Sequence, residues 1–203
     1  MKNVLVTGGL GFIGSNFIRM LLQEDVFEKV INLDKQTYAG NPENLSGFQN
    51  HPRYVFQRGD ICDQTSLESI LMENEVDAVV NFAAESHVDR SIDGPEPFVQ
   101  TNIVGTLRLL EATKTFLSKC TADRQKAFRF LHVSTDEVYG SLTAEGPAFC
   151  ESTPYAPNSP YSASKAAADH LARAYHHTFG SVSYTHRRCR RCSRCRSRWS
   201  PYH

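Results

Sequence analysis

Three observations predict an α/β fold, a parallel sheet with helices on both faces. Short apolar, β-branched runs alternate with helical stretches along residues 1–180. The first run is apolar at every position, as a strand buried on both faces requires. A glycine-rich turn links that run directly to the first helix.

Residues 3–7 (NVLVT) form the first predicted strand. Residues 12–23 read as a helix with Ile13, Phe17, Met20 and Leu21 on the inward face. Residues 30–33 are the second strand and 54–57 the third, with a helix at 66–73 after it. Residues 78–82 are the fourth strand. A long helix follows at 99–117, with Ile103, Thr106, Leu107, Leu110 and Ala112 facing in. Residues 128–133 are the fifth strand, 144–160 a proline-rich loop, and 161–179 an Ala-rich helix closed by Gly180. Right-handed crossovers between these strands predict the sheet order 3-2-1-4-5.

Charged residues are 22% of the chain and its formal net charge is zero. That balance hides a split: residues 1–180 carry −7, and 181–203 carry seven arginines and no acid. A chain that binds nucleic acid over its whole surface is excluded. No apolar run nears the ~18 residues needed to span a bilayer. The start, MKNVLVTGG, enters a strand with no signal-peptide pattern, and Cys62, Cys120 and Cys150 are scattered, so a cytoplasmic protein is expected.

The segment TGGLGFIGS (7–15) contains Gly9-x-Gly11-x-x-Gly14 and also Gly8-x-x-Gly11-x-x-Gly14. Glycine allows the tight turn, the close approach of backbone amides to a pyrophosphate, and tight helix–strand packing. The helix N-terminus then faces the phosphates. No Lys-Ser/Thr follows the last glycine, so this is not a triphosphate loop. Asp34 ends the second strand twenty residues past Gly14, where an acid binds ribose hydroxyls and repels a 2′-phosphate. The pattern predicts a Rossmann-like domain that binds NAD rather than NADP. Asp60 and Ile61 follow the third strand, and Phe82, Ala83 and Ala84 the fourth, at positions open to the same cofactor.

Tyr161-Ser-Ala-Ser-Lys165 places Tyr and Lys one helical turn apart on one face. A Tyr near its ordinary pKa of about 10 is a poor base at pH 7. A nearby ammonium and a nicotinamide cation are expected to lower it. The fifth strand ends in Ser134-Thr135-Asp136-Glu137. Thr135 is suited to hydrogen-bond a substrate oxygen, and Asp136 and Glu137 can share acid and base work if their surroundings differ.

Together, TGGLGFIGS, LDKQTYAGN (33–41), GDI (59–61), FAAESHVDRS (82–91), STDEVYG (134–140) and YSASK (161–165) resemble the extended short-chain dehydrogenase/reductase family of nucleotide-sugar enzymes. The adjacent acids favour its dehydratases over its 4-epimerases. The resemblance covers residues 1–180. It implies that dTDP-glucose is oxidised at C4, loses water across C5 and C6, and regains hydride at C6. Tyr161 would be the oxidation base, aided by Lys165 and Thr135. Glu137 would take the C5 proton, and Asp136 would protonate the leaving hydroxyl. NAD would be lined by Gly8, Gly11, Phe12, Ile13, Gly14, Asp34, Lys35, Gln36, Thr37, Asp60, Ile61, Phe82, Ala83, Ala84, Glu85, Ser86, Thr101, Tyr161 and Lys165. Ser86, His87 and Thr135 would approach the sugar, although His87 reads equally well as a capping or packing residue. The family also implies a homodimer through the helices at 99–117 and 161–179, and no metal, membrane or specific nucleic-acid partner.

After Gly180 the pattern changes. Residues 181–185 read as a strand stub, then HRRCRRCSRCRSRWSPYH shows neither helical period nor alternation. The tail, 181–203, is expected to be out-of-frame or disordered, and the family's smaller C-terminal substrate domain to be missing. A Cys189-x-x-Cys192-x-x-Cys195 metal site, completed by His186 or His203, is a second reading of the tail. A basic arm with Trp199 and Tyr202 is a third. Little or no turnover is expected of the chain as it stands. A catalytically silent NAD-binding or oligomerising fragment is the alternative, as is a 4-epimerase relative.

Overall fold

The computed structural model describes residues 2–142, 148–150 and 152–179, and the backbone of 183–187. β1 (Asn3–Thr7) leads through the glycine turn into α1 (Phe12–Gln23). β2 (Lys29–Asp34), β3 (Tyr54–Arg58), α2 (Gln64–Glu73) and β4 (Ala78–Asn81) follow. Two short helices, α3 (Val88–Asp93) and α4 (Glu96–Phe98), lead into a π-helical turn (Val99–Gly105) that continues as α5 (Thr106–Ser118). α6 (Ala122–Ala127), β5 (Arg129–Val133), α7 (Pro160–Phe179) and β6 (Ser183–Arg187) complete the described elements.

All strand pairs are parallel, in the order β3-β2-β1-β4-β5-β6. The five predicted strands stand in the predicted order. The sixth overlaps the strand stub read from sequence at 181–185. Residues 183–187, assigned from sequence to the tail, pair with β5 from Arg129↔Ser183 to Val133↔Arg187. A lone strand signal of five residues beside arginines is weak in sequence, but β5 offers it an edge to pair with. The Cys189, Cys192 and Cys195 reading, and the basic-arm reading on Trp199 and Tyr202, lie outside the described residues.

The core follows from period-two geometry. Leu5, Ile31, Val79 and Phe130 face one side of the sheet, under α2 and α5 through Leu67, Leu71, Leu109 and Phe116. Val4, Val6, Val30 and Val80 face the other, under α1 through Ile18, Leu21 and Leu22. Both faces of the central strands are therefore covered, which explains why β1 reads as an unbroken apolar run.

Two predicted helix faces are corrected. In α1, Ile13 and Met20 are exposed and Gly14, Ser15, Ile18, Leu21 and Leu22 are buried. The glycine turn rolls the helix so that its first turn faces the strand ends rather than the core. In the long helix, Ile103 and Leu107 are only half-buried, while Asn102, Gly105, Thr106, Leu109 and Leu110 go in. The wide π turn alters the 3.6-residue period on which the expected face was built. A Cβ on Gly105 would come within 2.6 Å of the Ile61 side chain, so this helix packs at backbone distance.

Candidate active site

The carboxyl ends of β1, β2, β4 and β5 surround a cleft of about 470 Å³, within the range of small-molecule sites. Gly8, Gly11, Phe12, Ile13 and Gly14 line it, with Asp34, Lys35, Thr37, Asp60, Ile61, Phe82, Ala83, Ala84, Glu85, Ser86, Thr101, Tyr161 and Lys165. Gln36 is the one proposed cofactor residue missing from that lining. Its backbone is left-handed (φ 57°), and its N–H donates to Asp34 Oδ1 at 2.8 Å.

The glycine cradle leaves space that side chains would fill. Gly8 has φ 68°, and a Cβ there would lie 2.6 Å from the Ala83 nitrogen. A Cβ on Gly14 would lie 2.4 Å from the Gly8 carbonyl oxygen. Asp34 Oδ2 accepts from the Leu10 N–H at 2.9 Å, which ties the buried carboxylate to the same turn. Lys35 forms a 2.6 Å ion pair with Asp60. Their hydrogen bond raises the Lys35 pKa. Burial pushes Asp60 up, but the Lys35 and Cys62 hydrogen bonds outweigh it and hold the carboxyl below its ordinary range.

The first turn of α7 is built by reciprocal capping. Ser159 N–H donates to Ser162 Oγ at 3.0 Å, and Ser162 N–H donates to Ser159 Oγ at 3.1 Å. Pro160 begins the helix, where a missing N–H costs nothing. Tyr161 is fixed further by its N–H donating to Ser91 Oγ at 3.2 Å and by edge contact with Phe98.

Thr135, Asp136 and Glu137 converge on that phenol. Thr135 caps a 3-10 turn (Asp136–Tyr139), its Oγ1 accepting from Glu137 N–H at 3.3 Å. Burial and the Glu137 carboxylate push the Tyr161 phenol up to about 12, against a smaller lowering by the Thr135 hydrogen bond. The protein's own groups thus raise the phenol, whereas the lowering expected from sequence includes a bound nicotinamide cation. Lys165 is buried and gives its ammonium to the Val133 carbonyl at 2.6 Å. Burial also pushes Lys165 down, to about 8.

Ser86 lines the cleft; His87 is exposed and stands at the N-cap position of α3 without a side-chain capping bond. Sequence reading missed Asn102. Its side chain accepts from Glu85 N–H at 2.8 Å and donates to the Glu85 carbonyl at 3.0 Å and to Ser164 Oγ at 2.8 Å. It thereby joins the β4 loop, the π turn and α7. A buried polar residue inside an apolar helix was its only sequence signal. Ser91, which holds Tyr161, carried none.

The family model for GDP-mannose 4,6 dehydratase matches residues 5–199. The dTDP-glucose 4,6-dehydratase of Xanthomonas campestris pv. campestris (strain B100) is 52% identical over 203 residues, 100% of this chain and 55% of that protein. The structure of DesIV, a dTDP-glucose 4,6-dehydratase from Streptomyces venezuelae solved with NAD bound, superposes with a TM-score of 0.82 at 48% identity. The match covers 92% of this chain and 55% of that one. A UDP-glucose 4-epimerase from Thermus thermophilus, in complex with NAD, is more distant, at 32% identity and a TM-score of 0.76 over 91% of this chain and 53% of that one. The chain spans about half the length of the curated relatives it matches. Among the described residues, no helix is long and apolar enough to cross a membrane.

Proposed function

The chain belongs to the GDP-mannose 4,6 dehydratase family, and on that premise we propose that it carries the cofactor site and the acid–base residues of an NAD-dependent dTDP-glucose 4,6-dehydratase, a lyase. The observation that carries this reading is the gathering of Thr135, Asp136 and Glu137 around Tyr161 beside the glycine-lined cleft. Relatives named as dehydratases at about 50% identity, against more distant epimerases, support the choice of reaction.

Gly8, Gly11 and Gly14 would cradle the pyrophosphate, and Asp34 the adenosine ribose. When bound, NAD would supply the hydride acceptor for C4 and the hydride donor for C6. Tyr161 takes the proton of the sugar C4 hydroxyl, with Thr135 holding the oxygen, and C4 becomes a ketone. The ketone acidifies C5–H, and Glu137 removes that proton. Asp136 protonates the C6 hydroxyl, which leaves as water. Hydride returned to C6 and a proton to C5 complete the 4-keto-6-deoxy sugar. Asp136 and Glu137 are adjacent on one 3-10 turn, so a single short segment carries both the acid and the base.

A homodimer through the π turn, α5 and α7 fits the exposed Val99 and Phe179 and the half-buried Ile103, Leu107 and Leu171 on those helices. Sedimentation velocity should show a dimer at micromolar chain; a monomer at high micromolar concentration would remove this part of the reading. Cys62, Cys120 and Cys150 are thiols outside any disulfide, in keeping with a cytoplasmic site of action.

Calorimetric titration tests the cofactor assignment. NAD should bind more tightly than NADP. Asp34→Ala should weaken NAD at least tenfold, since a hydrogen bond to a charged group contributes about 1.5–3 kcal/mol. Asp34 also holds Leu10 and Gln36, so the thermal midpoint is measured in parallel. Lost affinity with an unchanged midpoint identifies a ligand contact, and equal or tighter NADP binding refutes it.

A further inference from the structure

Beneath the cleft floor lies a buried polar chain that the reaction above does not use. Ala83 N–H, at the cleft wall, donates to Thr7 Oγ1 at 3.3 Å, and Thr7 donates to Asn81 Oδ1 at 2.6 Å. That contact orients the Asn81 amide, so its Nδ2 donates to His132 Nδ1, 3.1 Å away. With Nδ1 accepting, the ring proton of His132 sits on Nε2. That nitrogen lies 3.5 Å from Asp169 Oδ1. The other oxygen, Oδ2, accepts from Ser134 Oγ at 2.6 Å and from Tyr155 O–H at 3.1 Å. Thr7, Asn81, His132 and Asp169 are each at most 2% exposed.

Two hydroxyls donating to one carboxyl, with an imidazole nitrogen 3.5 Å from its other oxygen, suit an anion rather than an acid. Asp169 is one helical turn past Lys165 on α7, and both side chains are buried on the same face. A buried ammonium needs a compensating charge. The Val133 carbonyl that receives it supplies only a dipole.

We propose that Asp169 is a positioning residue for Lys165: its buried carboxylate, held by His132, Ser134 and Tyr155, keeps the ammonium charged and aimed at the end of β5. Burial disfavours the charged lysine, and the attraction of Asp169 opposes that loss. The other ionisable groups around the pair are Arg173 on α7, His132 on β5, Asp136 and Glu137 on the 3-10 turn, Tyr155 on the loop, and Tyr161. Of these, the carboxylates of Asp136 and Glu137 bear on the phenol of Tyr161 rather than on the lysine, while Asp169 bears on both and also pushes the phenol up. The importance of a charged Lys165 rests on the dehydratase reading, but its charge state does not.

The test follows the side-chain nitrogen of Lys165 against pH by NMR, in the full chain labelled at lysine and without cofactor. Loss of the signal in Lys165→Met identifies it. The midpoint should fall near 8 in the parent chain. Asp169→Asn keeps the shape and removes the charge, and should lower the lysine protonation constant at least ~10-fold, a shift of one pH unit toward acid. Ser134→Ala combined with Tyr155→Phe withdraws two donors from Asp169, and should move the midpoint the same way by a smaller amount. If Asp169→Asn fails to fold, the Ser134/Tyr155 variant decides alone. An unmoved midpoint in a folded variant of either kind overturns the proposal and leaves the dinucleotide reading standing.

Discussion

Tyr161→Phe is expected to slow the first oxidation at C4 by at least ~100-fold, the lower end of what a positioned proton acceptor contributes. The readout is the absorbance of reduced nicotinamide in a single turnover with dTDP-glucose, using the chain within a protein of the relatives' full length. The phenol sits in a buried pocket, in edge contact with Phe98 and held through its backbone N–H by Ser91, so Phe fills the same space. The loss therefore reports the hydroxyl and not the packing. The same assay separates the acids. Glu137→Gln and Asp136→Asn leave the phenol in place, so oxidation should continue and elimination should stall. Reduced cofactor and a 4-keto sugar nucleotide would then accumulate. The acids also bear on Tyr161 electrostatically. Glu137 is the largest charge pushing the phenol up, so Glu137→Gln should ease the first proton transfer and shift its pH profile toward acid. If both acid variants eliminate water at the parent rate, the division of roles is wrong, and an epimerase-like use of the site becomes the better account.

Gly14→Ala should nearly abolish dinucleotide binding, a loss of at least ~100-fold or about 2.8 kcal/mol. The added methyl would meet the Gly8 carbonyl oxygen at 2.4 Å and the Gly9 Cα at 2.9 Å, both backbone atoms that cannot rotate away. Relief requires α1 to move off the turn, which takes the helix N-terminus away from the phosphates it would face. Overpacking of this kind also costs about 1–3 kcal/mol of stability, read as a lower urea midpoint. Gly11→Ala makes the contrast: its methyl meets the Gly8 oxygen at 3.3 Å and nothing else within contact, so the fold should hold while affinity drops. Gly47→Ala, with open space around it, should change neither. Parent-like NAD affinity in a folded Gly14→Ala variant would show that the turn is a packing device and not a phosphate cradle.

Much of the cleft was legible along the chain because its signals are local. The unbroken run of β1, the glycine spacing, Asp34 at the end of β2 and the Tyr161–Lys165 pair each lie within a few residues of the element that positions them. A parallel sheet then brings every strand's carboxyl end to one edge. That is why residues as distant as Gly8, Asp60, Ser86 and Lys165 line one cleft. The errors have a common cause. Ile13 and Met20 were assigned inward because a periodicity gives a helix face without giving its roll, and the glycine turn sets the roll of α1. Ile103 and Leu107 were misassigned because a single π turn breaks the 3.6-residue period. For the phenol of Tyr161, sequence places a lysine one helical turn away and expects a nicotinamide cation beside it, both of which lower its pKa. What sequence does not show is that Val133 holds the ammonium and that Glu137 pushes the phenol the other way. What sequence alone determined was the order of the sheet and most of the groups that line its carboxyl edge. What only the tertiary structure decided was which buried partner each polar group holds. Asn102 bridges from Glu85 to Ser164, Ser91 holds Tyr161, and His132 reaches Asp169, pairs 17 to 70 residues apart. Desolvation and hydrogen bonding act between atoms a few ångströms apart in space, and no periodicity or motif along the chain records those distances.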